Sequence, residues 1–426
     1  VEPDPDAHDP TELILRCAKY EGVELGPEQL EAIDRALRGG VVVVTGGPGT
    51  GKTTLLKVLI RVVTEPGETW NLASPTGRAA RRLEEATGQT ASTLHRLLEY
   101  RPGEGGFQKD AGNPLEGQGL VIDEVSMVDI ELMHAVLCAL PPGPFSLILV
   151  GDSDQLPSVG PGQVLRDVIN SGVVPVTRLS QVYRQGEASG ILQAAGAILG
   201  GSVPTSGERA SYEDCYLLER GDTDRAVETV LAVVQQRLPA LGFDPLNEVQ
   251  VLTPTRRGPL GTEGLNRVLQ ARLNPEGKEI KRGNKAFRVG DRVICTRNRY
   301  DVDVFNGDTG RVIQADGTGL LLEFDRRMVP WAWDELNSLE LAYAITVHKS
   351  QGSEYPAVVL VLHPSHGIML RRNLFYTAVT RASRFLCVVG AQRAWSRAVS
   401  QNGGDERSTR LAPRLSELAA EQEESR

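Results

Sequence analysis

The segment "GGPGTGKT", Gly46 to Thr53, sets Gly46, Gly51, Lys52 and Thr53 at the spacing of a phosphate-binding loop. Successive backbone N–H groups and the start of the following helix surround an anion there. Lys52 would reach the terminal phosphates, and the Thr53 hydroxyl would bind Mg²⁺. With Gly47, Pro48, Gly49, Thr50 and Thr54, the whole stretch is expected against ATP. The run "LVIDE" ends in Asp123 and Glu124. At the carboxyl end of a parallel strand such a pair can hold Mg²⁺ with its first member and polarise an attacking water with its second. A third run, "LILVGDSDQL", ends in Asp152, Asp154 and Gln155, and Gln155 is a neutral donor suited to sensing a terminal phosphate or orienting water.

Chemistry of this kind needs strands and helices to hold it. The phosphate loop follows the β-branched run "VVVV" and opens the helical stretch "KTTLLKVLIRVV". Ahead of it, "GPEQLEAIDRAL" places Leu30, Ile33 and Leu37 on one helical face. Apolar runs recur at "FSLILVGD", "EVQVLTP", "AVVLVL" and "FLCVVG", with helices between them. Such alternation predicts an α/β fold of two domains, each a parallel sheet flanked by helices. Two stretches break the pattern. Arg101 to Gly119 is glycine-rich and reads as a loop or small hairpin. Asn274 to Glu335 alternates short strands with Asn-Gly and Asp-Gly turns, as a small all-β barrel does. From about Gln401 the chain is polar and is expected to fray.

The 426 residues are 40% hydrophobic, with no apolar run of bilayer length and no charged-then-apolar leader, so a cytoplasmic location is expected. Five cysteines stand singly, as buried thiols would rather than metal ligands. The formal net charge of −9 argues against coating nucleic acid by bulk charge, but leaves room for a narrow basic track. The chain opens on Val1, and "VEPDPDAHDP" reads as the end of an N-terminal region that precedes it.

Taken in order, the phosphate loop, "SPTGRAA", "TLHRLL", "VIDEVSMVD", "GDSDQLPSVGPG", "VYRQ", "TPTRRGPLGT", "HKSQGSEYP" and "FYTAVTRA" resemble the motifs of superfamily 1 helicases, in detail the RecD-type branch. The resemblance runs from about Gly26 to Gly390. It implies that Gln29 reads adenine, that Arg184 and Arg381 are arginine fingers, and that Gln351, Gly352 and Glu354 face the nucleotide. It implies DNA contacts at Pro75, Thr76, Arg78, Thr93, His95, Thr253, Pro254, Arg256, Thr346, His348, Lys349 and Ser350. Hydroxyls, cations and backbone N–H groups suit phosphates, which position a strand without reading it. His95 and His348 could equally be satisfied core or helix-end histidines. Phe107 is implied as a pin at a duplex junction, though an aromatic in such a loop can also pack locally.

The implied organisation is a lead-in at 1–25, a RecA-like domain at 26–180 with a pin hairpin at about 98–119, a second RecA-like domain at 181–274 and 336–400, an SH3-like barrel at 275–335, and a polar tail at 401–426. The implied activity is ATP-driven, Mg²⁺-dependent unwinding of DNA by travel along single strands, 5′ to 3′, with ss/dsDNA junctions as substrates and any protein partners held through the N-terminal region. A monomer is compatible with it. An RNA or mixed-substrate helicase, or an ATP-switched binding subunit that does not unwind, are the alternatives.

Overall fold

Val42, Val43 and Val44 are each at most 2% exposed, which requires a strand covered on both faces. Alternate side chains go to opposite faces, so Val44 joins one hydrophobic cluster and Val43 another. The computed structural model describes residues 10–65, 67–103, 105–183, 189–205, 213–282, 285–299, 301–401, 407 and 409–424. Contacts divide the chain into two units, Val1–Glu187 with Glu406–Arg426, and Ala188–Asp405.

In the first unit the strands are β1 (Val41–Gly46), β2 (Trp70–Ser74), β3 (Ala91–Thr93), β4 (Gly119–Ile122), β5 (Ser146–Gly151) and β6 (Val176–Leu179). All pair in parallel, in the order β3-β2-β4-β5-β1-β6. Helices Pro10–Tyr20, Pro27–Leu37 and Lys52–Thr64 cover one face; Ile130–Cys138 and Val164–Ser171 cover the other. Parallel pairing brings the phosphate loop, Thr76, Thr93, Asp123 and Asp152 to one edge, where α/β sheets bind ligands. Among the described residues of 98–119 no extended hairpin forms; two isolated bridges, Arg101 with Gly106 and Asp110 with Asn113, tie the segment. The tail also departs from expectation. Leu411–Glu424 is a helix, and Leu411 and Leu415 pack on the core cluster under Val164–Ser171. Their i, i+4 spacing gives the helix a stripe with which to dock.

In the second unit β7 (Cys215–Glu219) and β8 (Val249–Thr253) precede the barrel strands β9 (Glu279–Arg282), β10 (Lys285–Arg288), β11 (Arg292–Cys295), β12 (Thr309–Ala315), β13 (Gly319–Phe324), β14 (Arg327–Ala332) and β15 (Leu339–Leu341). They are followed by β16 (Ala344–Thr346), β17 (Tyr355–Leu362) and β18 (Ala382–Gly390). The parallel sheet has the order β16-β8-β17-β18-β7, and the inserted antiparallel sheet β14-β13-β12-β11-β15, with β9 and β10 as a separate ribbon. The barrel has its own core, including Phe324 and Trp331.

A buried polar network joins insert and sheet within this unit. Asp291 is fully buried, and its carboxylate accepts from Gln270 Nε2 (2.6 Å), Asn274 Nδ2 (2.8 Å), Arg288 N (2.6 Å) and Tyr343 Oη (2.9 Å). Asn266 Nδ2 donates to the carbonyls of Leu341 and Ala344, and Arg292 Nη1 to that of Val249. No helix among the described residues is long and apolar enough to cross a membrane.

Candidate functional site

The phosphate loop turns through Gly49 (φ 73°) and Gly51 (φ 79°), left-handed conformations that glycine adopts without strain. Gly51 caps the helix Lys52–Thr64, so that Lys52, Thr53 and Thr54 occupy its first turn at the positive end of the dipole. Lys52 Nζ donates to the carbonyls of Gly46 (2.7 Å) and Gly47 (2.8 Å), and Thr50 Oγ1 to that of Gly47 (2.9 Å). Gln29, 2% exposed, lies behind this loop: its Nε2 donates to Gly51 O (3.2 Å) and its Oε1 accepts from Gly26 N (2.9 Å). Its amide therefore also supports the loop, a duty that sequence reading missed. Tyr183 was missed as well: its N–H donates to Gly49 O (2.9 Å), and the residue is 43% exposed. Its neighbour Arg184 lies outside the described residues.

The acidic pair stands at the end of β4. Glu124 adopts φ 55°, unusual for a side-chain-bearing residue, and its N–H donates to Asp123 Oδ1 (2.8 Å). Burial, together with the adjacent Glu124 carboxylate, pushes the Asp123 carboxyl up, with Lys52 and Arg82 opposing. After β5, buried Asp152 holds Gln155 Nε2 (3.2 Å) and Asp154 N (3.0 Å). Gln155 Oε1 and the hydroxyls of Ser74, at the end of β2, and Ser126, in the turn after β4, are buried without a hydrogen-bond partner. Unsatisfied polar atoms beside an undercompensated carboxylate pair fit a site that receives a hydrated cation and phosphate oxygens. Among the described residues no group of three or more His, Cys, Asp and Glu could hold a metal. A Mg²⁺ ion here would therefore rest on Asp123, Thr53 and the phosphates, which suits its preference for few protein ligands.

In the same unit, Thr76 Oγ1 accepts from Ala79 N (3.3 Å) and Thr93 Oγ1 from Arg96 N (3.2 Å), so both cap helices. Pro75 and Arg78 flank the first cap, both partly exposed. His95 packs against Tyr100 (5.5 Å between centroids) and Phe107 (5.7 Å), and burial lowers its pKa, leaving a neutral ring at pH 7. Phe107 packs locally on Tyr100 (4.9 Å) and the core, the alternative to projecting as a pin.

In the second unit, Arg381 is 4% exposed and donates to Thr377 O (3.1 Å), Ser353 O (3.0 Å) and Thr380 Oγ1 (3.2 Å). This draws it onto the loop carrying Gln351, Gly352 (φ 68°) and Glu354. Thr346 Oγ1 caps the following turn through Lys349 N (3.3 Å), and burial lowers the pKa of His348. Thr253 and Ser350 are fully buried, their hydroxyls donating to Leu260 O and Val347 O (2.7 Å each), so neither is open to a phosphate; Pro254 is buried beside Thr253. The cations Arg256 and Lys349 converge on Glu340 of β15, at 2.5 and 2.8 Å. Burial works to raise the Glu340 carboxyl, but Lys349, Arg256 and Lys285 together hold it below its ordinary value. No local pattern announced Glu340.

Parallel sheets, a phosphate loop with an acidic pair, and an SH3-like insert define a RecA-like helicase motor fold. The family models that match are an AAA domain (residues 29–161), an ATP-dependent RecD-like DNA helicase SH3 domain (265–324) and a UvrD-like helicase C-terminal domain (341–389). The ATP-dependent RecD2 DNA helicase of Deinococcus radiodurans is 41% identical over 391 residues, 92% of this chain and 52% of that protein. The RecBCD enzyme subunit RecD of Mycolicibacterium smegmatis is 35% identical over 423 residues, covering 91% of this chain and 74% of the subunit. Among solved structures, two Pif1 helicases at forked duplex DNA (TM-score 0.55, 20% identity, 86% of this chain and 92% of that one) and Pif1 helicase from Candida albicans (0.53, 20%, 94% and 100%) share the fold. The chain belongs to the RecD-like DNA helicase family. It spans about half the length of the Deinococcus relative.

Proposed function

We propose that this chain is the motor of an ATP-dependent DNA helicase that travels along single-stranded DNA 5′ to 3′ and opens duplex at a junction. The observation that carries the reading is the phosphate loop, its Lys52 ammonium held by loop carbonyls, on the same sheet edge as the acidic pair with its raised Asp123. Lys52 and the backbone N–H groups of the Gly46–Thr54 loop, Pro48 excepted, bind the phosphates, while Gln29 and Tyr183 flank the loop where a base would lie. Thr53 and Asp123 would hold Mg²⁺, which neutralises phosphate charge when bound. Glu124 accepts the proton of the attacking water, Gln155 orients it, and Arg184 and Arg381 supply transition-state charge.

Arg78, Arg256 and Lys349 meet the strand's phosphates, with Thr76, Thr93 and Thr346 presenting capped loop backbone and His95 and His348 neutral rings. Residues 98–119 act as the wedge. Breaking a base-pair step costs about 1.4 kcal/mol in stacking terms, a small load for an ATP-driven step. The test is unwinding of forked duplexes with 5′ or 3′ single-stranded arms. Opening that needs ATP and a 5′ arm supports the reading. Strand-stimulated ATP hydrolysis with no opening of any duplex favours a switched binding protein instead, and preference for RNA arms would reassign the substrate.

A further inference from the structure

The loop that follows β5 closes around a guanidinium supplied from the far end of the chain. Arg407 Nη1 donates to the carbonyls of Gly160 (2.5 Å) and Gly162 (2.9 Å), and Nη2 donates to that of Ser158 (2.7 Å). Three alternate carbonyls thus point at one centre. Ser158 Oγ also donates to the carbonyls of Gly160 (3.2 Å) and Gly162 (3.5 Å), but only the guanidinium reaches all three, as a charged planar donor that offsets the repulsion of converging carbonyl dipoles. The loop is too tight for side chains at its glycines: a Cβ on Gly160 would stand 2.1 Å from Asp129 Oδ2, and Gly162 has φ 88°.

The same loop touches both halves of the hydrolytic edge. It begins at the Asp152–Gln155 turn, and Pro161 O accepts from Ile130 N (2.9 Å), at the start of the helix that follows Asp123 and Glu124. The tail is anchored independently of the guanidinium: Thr409 Oγ1 donates to Asp167 Oδ2 (2.7 Å), Ser416 Oγ to Ser171 O (3.0 Å), and Leu411 and Leu415 pack on the core.

We propose that Arg407 is a positioning residue for ATP hydrolysis, setting the Ser158–Gly162 loop and through it Gln155 and the acidic pair. The inference rests on the ATPase reading above. Ground-state binding falls to the phosphate loop, whose bonds run to Gln29 and Tyr183. Loss of Arg407 therefore acts on kcat rather than on KM, since small misplacements of groups that orient the attacking water are costly in rate.

The experiment is steady-state, DNA-stimulated ATP hydrolysis by the full chain and its Arg407→Ala, Arg407→Lys and Thr409→Val variants, with a thermal melt of each. Arg407→Ala is expected to lower kcat about 5- to 20-fold with KM for ATP within about twofold. Millimolar guanidinium should restore part of the rate, and Arg407→Lys should fall between. Thr409→Val, which loosens the tail but keeps the guanidinium, should melt lower with kcat near wild type. An unchanged kcat in Arg407→Ala overturns the proposal. So do losses that follow melting temperature equally in the 407 and 409 variants without guanidinium rescue. If the alanine variant does not fold, a wild-type kcat in Arg407→Lys overturns it. A wild-type chain that hydrolyses no ATP would refute the underlying reading instead.

Discussion

Lys52 and Asp123 are both expected to be essential for hydrolysis, but removing the Asp123 charge should also stabilise the fold. Lys52→Ala removes the cation proposed for the terminal phosphates and leaves the residues proposed to face DNA untouched, so ATP hydrolysis should vanish while single-strand binding, followed by fluorescence anisotropy, stays within a few-fold of wild type. Asp123 is held in its ionised form against burial and the Glu124 charge. Its folded pKa lies above its unfolded value, so ionisation at neutral pH penalises the folded state, and the penalty fades as pH falls through the raised pKa. Asp123→Asn keeps the acceptor for Glu124 N and drops the charge. It should abolish hydrolysis yet raise the melting temperature by on the order of a few degrees at pH 7.5. That gain should shrink when the melts are repeated near pH 5; a gain that grows on acidification would contradict the sign.

At the scale of elements, Glu340 ties together two loops of the second unit through Arg256 and Lys349. If both cations meet phosphates, removing either should lower the slope of log K against log salt for single-stranded DNA by about 0.7. Because they share one carboxylate, the double variant should depart from additivity in a salt-titrated binding cycle. The sequence made the strands and the phosphate loop legible, since β-branched runs and glycine spacing are local signals. It placed Asp123, Glu124 and Gln155 at strand ends, and parallel pairing brought them to one edge. It could not reveal Glu340, whose meaning lies in partners far along the chain, nor the docking of Leu411–Glu424, where only two of three leucines, Leu411 and Leu415, reach the core. Thr253 and Ser350 mark another limit: a hydroxyl's residue type does not say whether it faces solvent or spends its bond inside.

At the scale of the whole molecule, two units with separate cores should report separately. An ATP analogue with Mg²⁺ should raise the calorimetric transition of the first unit. Asp291→Ala should destabilise the second unit by about 3 kcal/mol and lower its transition, because four donors lose a buried acceptor. A single transition displaced by both would contradict independent cores. The Asp291 network also bears on how such a chain can change over evolutionary time. A domain hung on two flexible linkers can be traded between relatives as a cassette. Here Asn266, Gln270 and Asn274 of the host reach acceptors in or beside the barrel strands, and Arg292 of the barrel reaches back to the host strand at Val249. Exchange of residues 275–335 for a foreign barrel would strand Gln270, Asn274 and the Val249 carbonyl without these partners. Arg292 Nη2 also donates to Gln250 Oε1 (2.8 Å), so the insert and its sheet are bound to be inherited together, and a graft should succeed only when Gln270, Asn274 and Gln250 are redesigned with it.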